Sequence, residues 1–181
     1  MSAAAGQPSV TLVLGGARSG KSAYAEGLIG GTGNPVYLAT AEARHGDDDG
    51  GEMARRIQDH QNRRGPQWQT VEEPLDLAGV LKAHDGRPVL VDCLTLWLAN
   101  ILAADMDVDK AVAGLGVCLE GLAGPVVLVS NEVGEGIIPD NALARAYMDH
   151  AGRMNQRIAA AARRVVFVRA GLPQILKDEN Q

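Results

Sequence analysis

Eight consecutive residues, GGARSGKS from Gly15 to Ser22, combine the residue types that bind a polyphosphate. They match the pattern G-x-x-x-x-G-K-[ST], in which Gly20 and Lys21 are two of the fixed positions. Glycine lets backbone N–H groups approach phosphate oxygens, lysine places a cation on the β and γ oxygens, and the serine hydroxyl can ligate Mg²⁺. The motif predicts nucleotide binding with Lys21 as a catalytic cation, and it leaves the reaction open.

A carboxylate that could complete a magnesium site comes later in the chain. Asp92 ends the apolar run PVLVD, as the acidic residue of a Walker B segment does. We therefore predict Ser22 and Asp92 as Mg²⁺ ligands. The alternative is that Asp92 caps a helix predicted over residues 94–104.

A histidine among arginines is the second candidate for chemistry. His60 lies four residues after Arg56 and just before Arg63 and Arg64, on a helix predicted over residues 52–63. Three cations near one imidazole would lower its pKa, favour the neutral nucleophilic form and attract phosphate. Neutral histidine can attack phosphorus and hold the transferred group covalently. From the residues alone, the favoured interpretation is a half-buried histidine packed with Met53 and Ile57 on an apolar helix face, and the nucleophile is the alternative.

The chain's apolar runs indicate the fold that must position these residues. Short β-rich runs predict strands over residues 9–16, 35–40, 68–71, 88–93, 125–130 and 165–170. The stretches between them predict helices over about 20–30, 52–63, 75–84, 94–104, 109–122 and 140–164. Continuous Val/Leu runs are typical of strands buried on both faces of a parallel sheet. We predict one P-loop NTPase-like α/β domain over residues 1–181, with a mostly parallel sheet flanked by helices.

Composition limits the possible function classes. The chain has 181 residues, 46% of them hydrophobic, as expected for one globular domain. A net charge of −5 argues against a general nucleic-acid binder. The apolar runs are too short for a membrane span, and the N-terminus lacks the features of a signal peptide, so we expect a cytoplasmic protein. Cys93 and Cys118 are expected to be free thiols of a reducing compartment.

Two other polar patterns have roles that the sequence leaves open. Asn131 and Glu132 follow a predicted buried strand at its carboxyl end, where ligands bind in open α/β sheets, but a glycine-rich turn would look the same. Asp47 to Asp49 lie in the segment 43–52 and could bind a metal. Adjacent carboxylates lack the alternate spacing of a calcium loop, so we interpret this segment as a surface loop.

A phosphate loop is compatible with a small-molecule kinase, a nucleotidyltransferase or a GTP-driven binding module. A small-GTPase switch would carry an N-K-x-D motif that reads guanine. The nearest candidate, SNEVG at residues 130–134, does not fit it. The sequence therefore disfavours the switch.

The order of the motifs resembles one enzyme family along nearly the whole chain. The matching stretches are LVLGGARSGKSAYAEGLI (12–29), YLATAE (37–42), EMARRIQDHQNRR (52–64), WQTVE (68–72), VDCLTLWLAN (91–100), VSNEVGEGIIPDNALARAYMDHAGRMNQRIA (129–159) and AGLP (170–173). Together they resemble the bifunctional adenosylcobinamide kinase/adenosylcobinamide-phosphate guanylyltransferase of cobalamin biosynthesis. The phosphate loop is generic, whereas the long stretch over residues 129–159 is far more specific.

The resemblance implies two reactions on a corrinoid substrate. Adenosylcobinamide is phosphorylated with ATP or GTP, and GMP from GTP is then attached to adenosylcobinamide phosphate with release of pyrophosphate. The second step passes through a GMP-histidine intermediate, and motif position makes His60 the nucleophile, with His45 as the alternative. The resemblance also implies a homotrimer. The competing interpretations are a P-loop kinase without the guanylyl step and a non-enzymatic nucleotide-dependent binding module.

The resemblance further implies a set of nucleotide-contacting residues. They are Gly15, Gly16, Ala17, Arg18, Ser19, Gly20, Lys21, Ser22, Thr40, Ala41, Glu42, Gln61, Asn62, Arg63, Arg64, Glu72 and Asp92. The family usually joins the strand before Glu42 to the histidine helix by a short acidic link. Here the link over residues 43–52 is longer, which leaves its position and any role for His45 open.

Overall fold

The protein was analysed as a computed structural model that describes residues 10–31, 33–41 and 65–179. The predicted helix over residues 52–63 and the acidic segment over residues 43–52 lie outside the described residues. All other predicted strands and helices fall within them, apart from residue 9 at the start of the first strand.

The described residues form seven strands and five helices. The strands are β1 (Val10–Gly15), β2 (Val36–Ala39), β3 (Gln69–Glu72), β4 (Val89–Asp92), β5 (Val126–Asn131), β6 (Arg164–Arg169) and β7 (Leu172–Asp178). The helices are α1 (Lys21–Ile29), α2 (Leu77–Ala83), α3 (Leu94–Ala103), α4 (Val108–Glu120) and α5 (Ala142–Ala161). Six strands and all five helices match predicted stretches, while β7 was not predicted.

The seven strands form one sheet in the order β3-β2-β4-β5-β1-β6-β7. All neighbouring strands are parallel except β6 and β7, which are antiparallel. Long side chains on the central strands, such as Leu12, Leu90 and Leu128, are completely buried. This arrangement confirms the predicted mostly parallel sheet flanked by helices.

Apolar side chains pack on both faces of the sheet because successive strand residues point in opposite directions. Leu12 and Leu128 face the cluster that includes residues from α2 to α5. Val13 and Val129 face the other cluster, which contains Ala25 and the other buried apolar residues of α1. The helices therefore cover both faces of the sheet, and the ends of the strands are where a functional site can form.

The parallel strands bring their carboxyl ends to one edge of the sheet. Gly15 at the end of β1 pairs with Asn131 at the end of β5. Ala39 at the end of β2 pairs with Asp92 on one side and with Glu72 on the other. The predicted phosphate loop, the predicted magnesium ligand and the polar residues after β5 therefore share this edge. Within the described residues, no helix has both the length and the apolar character needed to cross a bilayer.

Candidate nucleotide-binding and phosphoryl-transfer site

The segment between β1 and α1 folds into a compact turn. The backbone N–H of Ser19 donates to the Gly16 carbonyl at 3.3 Å, and Arg18 and Gly20 have left-handed φ values of 57° and 93°. Gly20 is the N-cap of α1, and no side chain caps that helix end. The first N–H groups of α1 can therefore bind an anion, which is the property predicted from the motif.

Close backbone contacts explain two of the glycines. A Cβ atom on Gly15 would lie 2.5 Å from the Val168 carbonyl oxygen of β6. A Cβ on Gly20 would lie 3.2 Å from the Gly171 Cα, in addition to being strained by the left-handed φ. The Gly171 N–H also donates to the Ser19 carbonyl at 2.8 Å. The turn between β6 and β7, which sequence reasoning missed, therefore supports the phosphate loop.

The Lys21 ammonium lies over the loop that precedes it. Its Nζ donates to the Gly16 carbonyl at 3.1 Å, and the residue is only 8% exposed. Burial lowers the pKa of Lys21, and the negative charge of Asp92 acts in the opposite direction. The charge of Asp92 therefore acts on the lysine that the motif assigns to the β and γ oxygens.

Asp92 does not cap the helix that follows it. The N-cap of α3 is Cys93, and no side chain makes a capping hydrogen bond there. The Asp92 side chain instead accepts a hydrogen bond from the Tyr37 hydroxyl at 3.3 Å. The capping alternative is therefore wrong, and the carboxylate remains a candidate metal ligand.

The donor set at this edge suits Mg²⁺. A hydroxyl from Ser22 and a carboxylate from Asp92 are hard oxygen ligands, and Mg²⁺ sites usually combine one or two carboxylates with waters and substrate phosphates. Among the described residues no three His, Cys, Asp or Glu side chains are grouped to hold a metal by themselves. The residues present fit an ion that is shared with a bound nucleotide.

Three other predicted nucleotide contacts lie at the same edge. Thr40 is buried, and its hydroxyl donates to the Cys93 carbonyl at 2.9 Å and accepts from the Cys93 N–H at 3.0 Å. This hydroxyl therefore joins the ends of β2 and β4. Ala41 is half-buried directly after it, and Glu72 is exposed at the end of β3. Nucleotide contacts from these residues stay predictions.

Several predicted site residues lie outside the described residues. They are Glu42, His60, Gln61, Asn62, Arg63 and Arg64, together with the alternative nucleophile His45 and the acidic residues Asp47, Asp48 and Asp49. Their roles stay predictions from the sequence.

A polar cluster beside the phosphate loop contains residues that sequence reasoning missed. The Asn131 amide nitrogen donates to Thr95 Oγ1 at 2.7 Å, and Thr95 Oγ1 lies 3.2 Å from Cys93 Sγ. The Tyr147 hydroxyl donates to the Thr95 carbonyl at 2.8 Å, and burial raises the pKa of Tyr147 to about 12. Asn131 was already a sequence candidate at the end of its strand, and the sequence signal for Thr95 was a threonine within the otherwise apolar helix start LTLWL.

The arrangement as a whole can bind a polyphosphate and transfer a phosphoryl group. It offers free N–H groups, a buried ammonium and a carboxylate at one strand edge, and such sites act mainly by positioning and charge stabilisation. None of these features selects the acceptor molecule. Comparisons with known proteins address that question.

Two solved structures share a weak similarity with this chain. The P4 protein from bacteriophage phi6 in complex with ADP gives a TM-score of 0.48 at 14% identity, covering 92% of this chain and 54% of the phage protein. The P4 protein from bacteriophage phi13 gives 0.48 at 17% identity, covering 92% of this chain and 53% of the phage protein. The chain thus spans about half the length of each phage protein, and scores this low support no argument about function.

Sequence relatives identify the family. The model of a family described as cobinamide kinase / cobinamide phosphate guanyltransferase matches residues 11–176. The chain is 51% identical over 173 residues to the bifunctional adenosylcobalamin biosynthesis protein CobP of Pseudomonas aeruginosa, covering 93% of this chain and 97% of the relative. It is 38% identical over 178 residues to the bifunctional adenosylcobalamin biosynthesis protein CobU of Escherichia coli, covering 89% of this chain and 96% of the relative. The chain therefore belongs to the cobinamide kinase / cobinamide phosphate guanyltransferase family.

Proposed function

We propose that this chain is a bifunctional transferase that phosphorylates adenosylcobinamide and then guanylylates the product. The phosphoryl donor is ATP or GTP, and the guanylyl donor is GTP. The observation that carries the proposal is the family match over residues 11–176, on a chain whose phosphate loop is formed at the sheet edge.

In the kinase step, the loop and the start of α1 bind the phosphates of the nucleotide. Lys21 places its charge on the β and γ oxygens. The substrate hydroxyl attacks the γ-phosphorus, the bond to the bridging oxygen breaks, and the nucleoside diphosphate leaves. The hydroxyl proton is released to water. The protein contributes alignment and charge, which is most of what phosphoryl transfer requires.

In the guanylyl step, His60 attacks the α-phosphorus of GTP. A nitrogen–phosphorus bond forms, the bond between the α-phosphorus and its bridging oxygen breaks, and pyrophosphate leaves. A phosphate oxygen of adenosylcobinamide phosphate then attacks the same phosphorus and frees the histidine, giving adenosylcobinamide-GDP. The arginines near His60 in the sequence support this role because they would attract phosphates.

Ser22 and Asp92 are the residues that would hold Mg²⁺ in the kinase step. When bound, the ion neutralises charge on the phosphate oxygens. The Ser22 hydroxyl lies in the first turn of α1, and Asp92 ends β4 with its carboxyl group held by Tyr37. The contribution of this chain is to present both oxygens at the same strand edge as Lys21.

Replacing Asp92 by asparagine is expected to weaken magnesium-dependent turnover more than metal-free nucleotide binding. The Mg²⁺ concentration for half-maximal kinase activity should rise at least about tenfold. Loss of a group that only supports a metal ligand already lowers metal affinity by about that factor. Asp105→Asn is the matched control, because Asp105 is an exposed turn residue with a φ of 54°, which asparagine adopts readily. A magnesium titration that is unchanged in Asp92→Asn would remove Asp92 from the metal site.

The proposed function is tested by supplying adenosylcobinamide with ATP or GTP, labelled in turn at the γ- and α-phosphate. Label from the γ position should appear in the corrinoid with either donor or with one of them, which also settles the donor preference. Label from the α position should appear only with GTP, together with pyrophosphate. A chain that transfers only γ label would be a kinase alone, and one that transfers neither would be a binding module.

We also propose that the chain is a cytoplasmic homotrimer. Among the described strands β7 lies at the edge of the sheet and exposes Leu172, Ile175 and Leu176 at 73%, 49% and 55%. An edge strand with exposed apolar side chains favours association with another chain. The two free thiols, Cys93 and Cys118, support a reducing compartment.

A trimer predicts a mass three times that of the chain in sedimentation equilibrium. Ile175→Lys should shift the mass toward the monomer, because a charge in a packed interface is costly when unpaired. Val117→Lys is the matched control, since Val117 is 71% exposed on α4 rather than on the edge strand. A parent chain that sediments as a monomer would contradict the proposal.

A further inference from the structure

We propose that Asn131 contacts the acceptor hydroxyl in the kinase step and that Thr95 holds the Asn131 amide in the required orientation. Asn131 is thus a catalytic residue, and Thr95 is a positioning residue. This inference rests on the proposed kinase function and assigns two further residues to it.

The position of Asn131 follows from the strand order. β5 lies between β4, which ends in Asp92, and β1, which leads into the phosphate loop. Asn131 is the register partner of Gly15, and the next N–H, that of Glu132, donates to the Gly15 carbonyl at 3.1 Å. The backbone next to Asn131 is therefore hydrogen-bonded to Gly15, the first residue of the loop.

Strand alternation determines which face of the sheet Asn131 occupies. Val127 and Val129 pack in the cluster that contains Ala25 of α1. Asn131 is two residues beyond Val129, so it lies on the same face. This face is the one covered by α1, whose first residue is Lys21.

Contacts to the amide nitrogen orient the Asn131 side chain. Its Nδ2 donates to Thr95 Oγ1 at 2.7 Å and lies 3.9 Å from Cys93 Sγ. Thr95 is only 4% exposed, so its hydroxyl is a fixed acceptor. Both contacts occupy the nitrogen, and within the described part of the chain no hydrogen bond reaches the side-chain oxygen Oδ1, whereas the backbone carbonyl of Asn131 accepts from the Asn155 amide nitrogen at 3.3 Å. Because an amide's two ends point apart, Oδ1 is available to a ligand.

An amide oxygen suits the acceptor hydroxyl at this place. It can accept the O–H hydrogen bond and hold the attacking oxygen in line with the γ-phosphorus, and a loose phosphoryl-transfer transition state needs alignment more than a strong base. The new oxygen–phosphorus bond replaces the bridging one, and the proton passes to water.

The test separates the two half-reactions. In Asn131→Ala, the kcat of γ-phosphoryl transfer to adenosylcobinamide should fall on the order of 10²-fold, the cost of a misplaced reactant. The KM for the nucleotide and the covalent labelling by α-labelled GTP should each stay within about threefold of the parent. A residue with only a structural role would change all three together.

Variants of Thr95 test the positioning role. Thr95→Val keeps the side-chain shape but loses the acceptor for the amide, so its kinase kcat should fall on the order of tenfold without a change in the nucleotide KM. Thr95→Ser retains the hydroxyl and should restore the parent rate. Cys118→Ala is the structural control: it removes a buried sulfur from α4 and should lower the melting temperature without lowering kcat.

Two outcomes would overturn the inference while leaving the proposed function intact. One is a kinase kcat in Asn131→Ala within about threefold of the parent. The other is a loss in Asn131→Ala that extends equally to nucleotide KM and covalent labelling. If the parent chain itself transfers no γ label to adenosylcobinamide, the proposed kinase function fails first and the role of Asn131 fails with it.

Discussion

His60→Ala and His60→Asn are expected to abolish covalent labelling of the chain by GTP labelled at the α-phosphate. The reason is that the proposed intermediate is a bond between the imidazole nitrogen and phosphorus, and neither replacement side chain can form it. Guanylyl transfer should be lost with the label. Phosphorylation of adenosylcobinamide should continue, since there the substrate hydroxyl attacks phosphorus directly.

The chemical stability of the label identifies the bond. A phosphoramidate is lost in acid and survives base, whereas an acyl phosphate on a carboxylate does not survive base. Labelling should also release pyrophosphate in equal amount, because each attack on the α-phosphorus breaks one bond to the β-phosphate group. Label with the stability of an acyl phosphate would contradict a histidine nucleophile.

The other histidines supply controls for the His60 assignment. His84→Ala should keep full labelling. His84 also has an arginine neighbour, since its Nδ1 lies 3.3 Å from Arg87 Nη1. It is, however, the C-cap of α2 and precedes β4, so it lies at the sheet edge opposite the phosphate loop. Full labelling in His84→Ala would show that an arginine neighbour alone does not make a histidine the nucleophile. Label that persists in His60→Ala and disappears in His45→Ala would make His45 the nucleophile.

Lys21→Ala is expected to reduce phosphoryl transfer on the order of 10³-fold, as judged from the loss of one positioned charge in a transition state. The Lys21 ammonium is buried beside the loop and bonded to the Gly16 carbonyl, so the loop itself fixes the position of this charge. Steady-state kinetics with saturating nucleotide measures the effect on kcat separately from binding.

Two further variants make the Lys21 result specific. Lys21→Arg keeps the charge but not the compact ammonium, so most of the activity should still be lost. Lys110→Ala removes an exposed lysine from α4 and should leave turnover unchanged. Unaltered melting temperatures would show that the fold is intact. Turnover of Lys21→Ala within a few fold of the parent would contradict the role assigned to this residue.

Local sequence patterns were sufficient for the parts of the fold that depend on near neighbours. Val and Leu runs predicted the central strands, because a strand buried on both faces must be apolar throughout. The spacing of Gly15, Gly20 and Lys21 predicted an anion-binding turn, because this conformation depends on a few consecutive backbone angles. The helix boundaries differ from the predicted ones by at most three residues, since helix ends depend on local capping.

Where the local sequence pattern is weak, the position of a residue could be seen only in the tertiary structure. The strand β7 contains Pro173 and mostly exposed side chains, and it forms because β6 offers an edge to pair with. Its preceding turn places Gly171 against the phosphate loop, which no pattern near Gly20 could indicate. The Asp92 side chain accepts a hydrogen bond from Tyr37 and does not cap a helix. This contact depends on the pairing of β2 with β4, which places the two residues close together.

The sequence by itself determined the family, the phosphate loop and the residue types of the candidate chemical groups, because these depend on residue type and order. Only the tertiary structure decided which of these groups meet. Asn131 reaches Thr95 across 36 positions of sequence, and Thr40 reaches Cys93 across 53. Such contacts exist because β5 lies between β4 and β1, and β2 beside β4. Strand order arises from the packing of the whole chain, so it cannot be predicted from the local periodicity of the sequence.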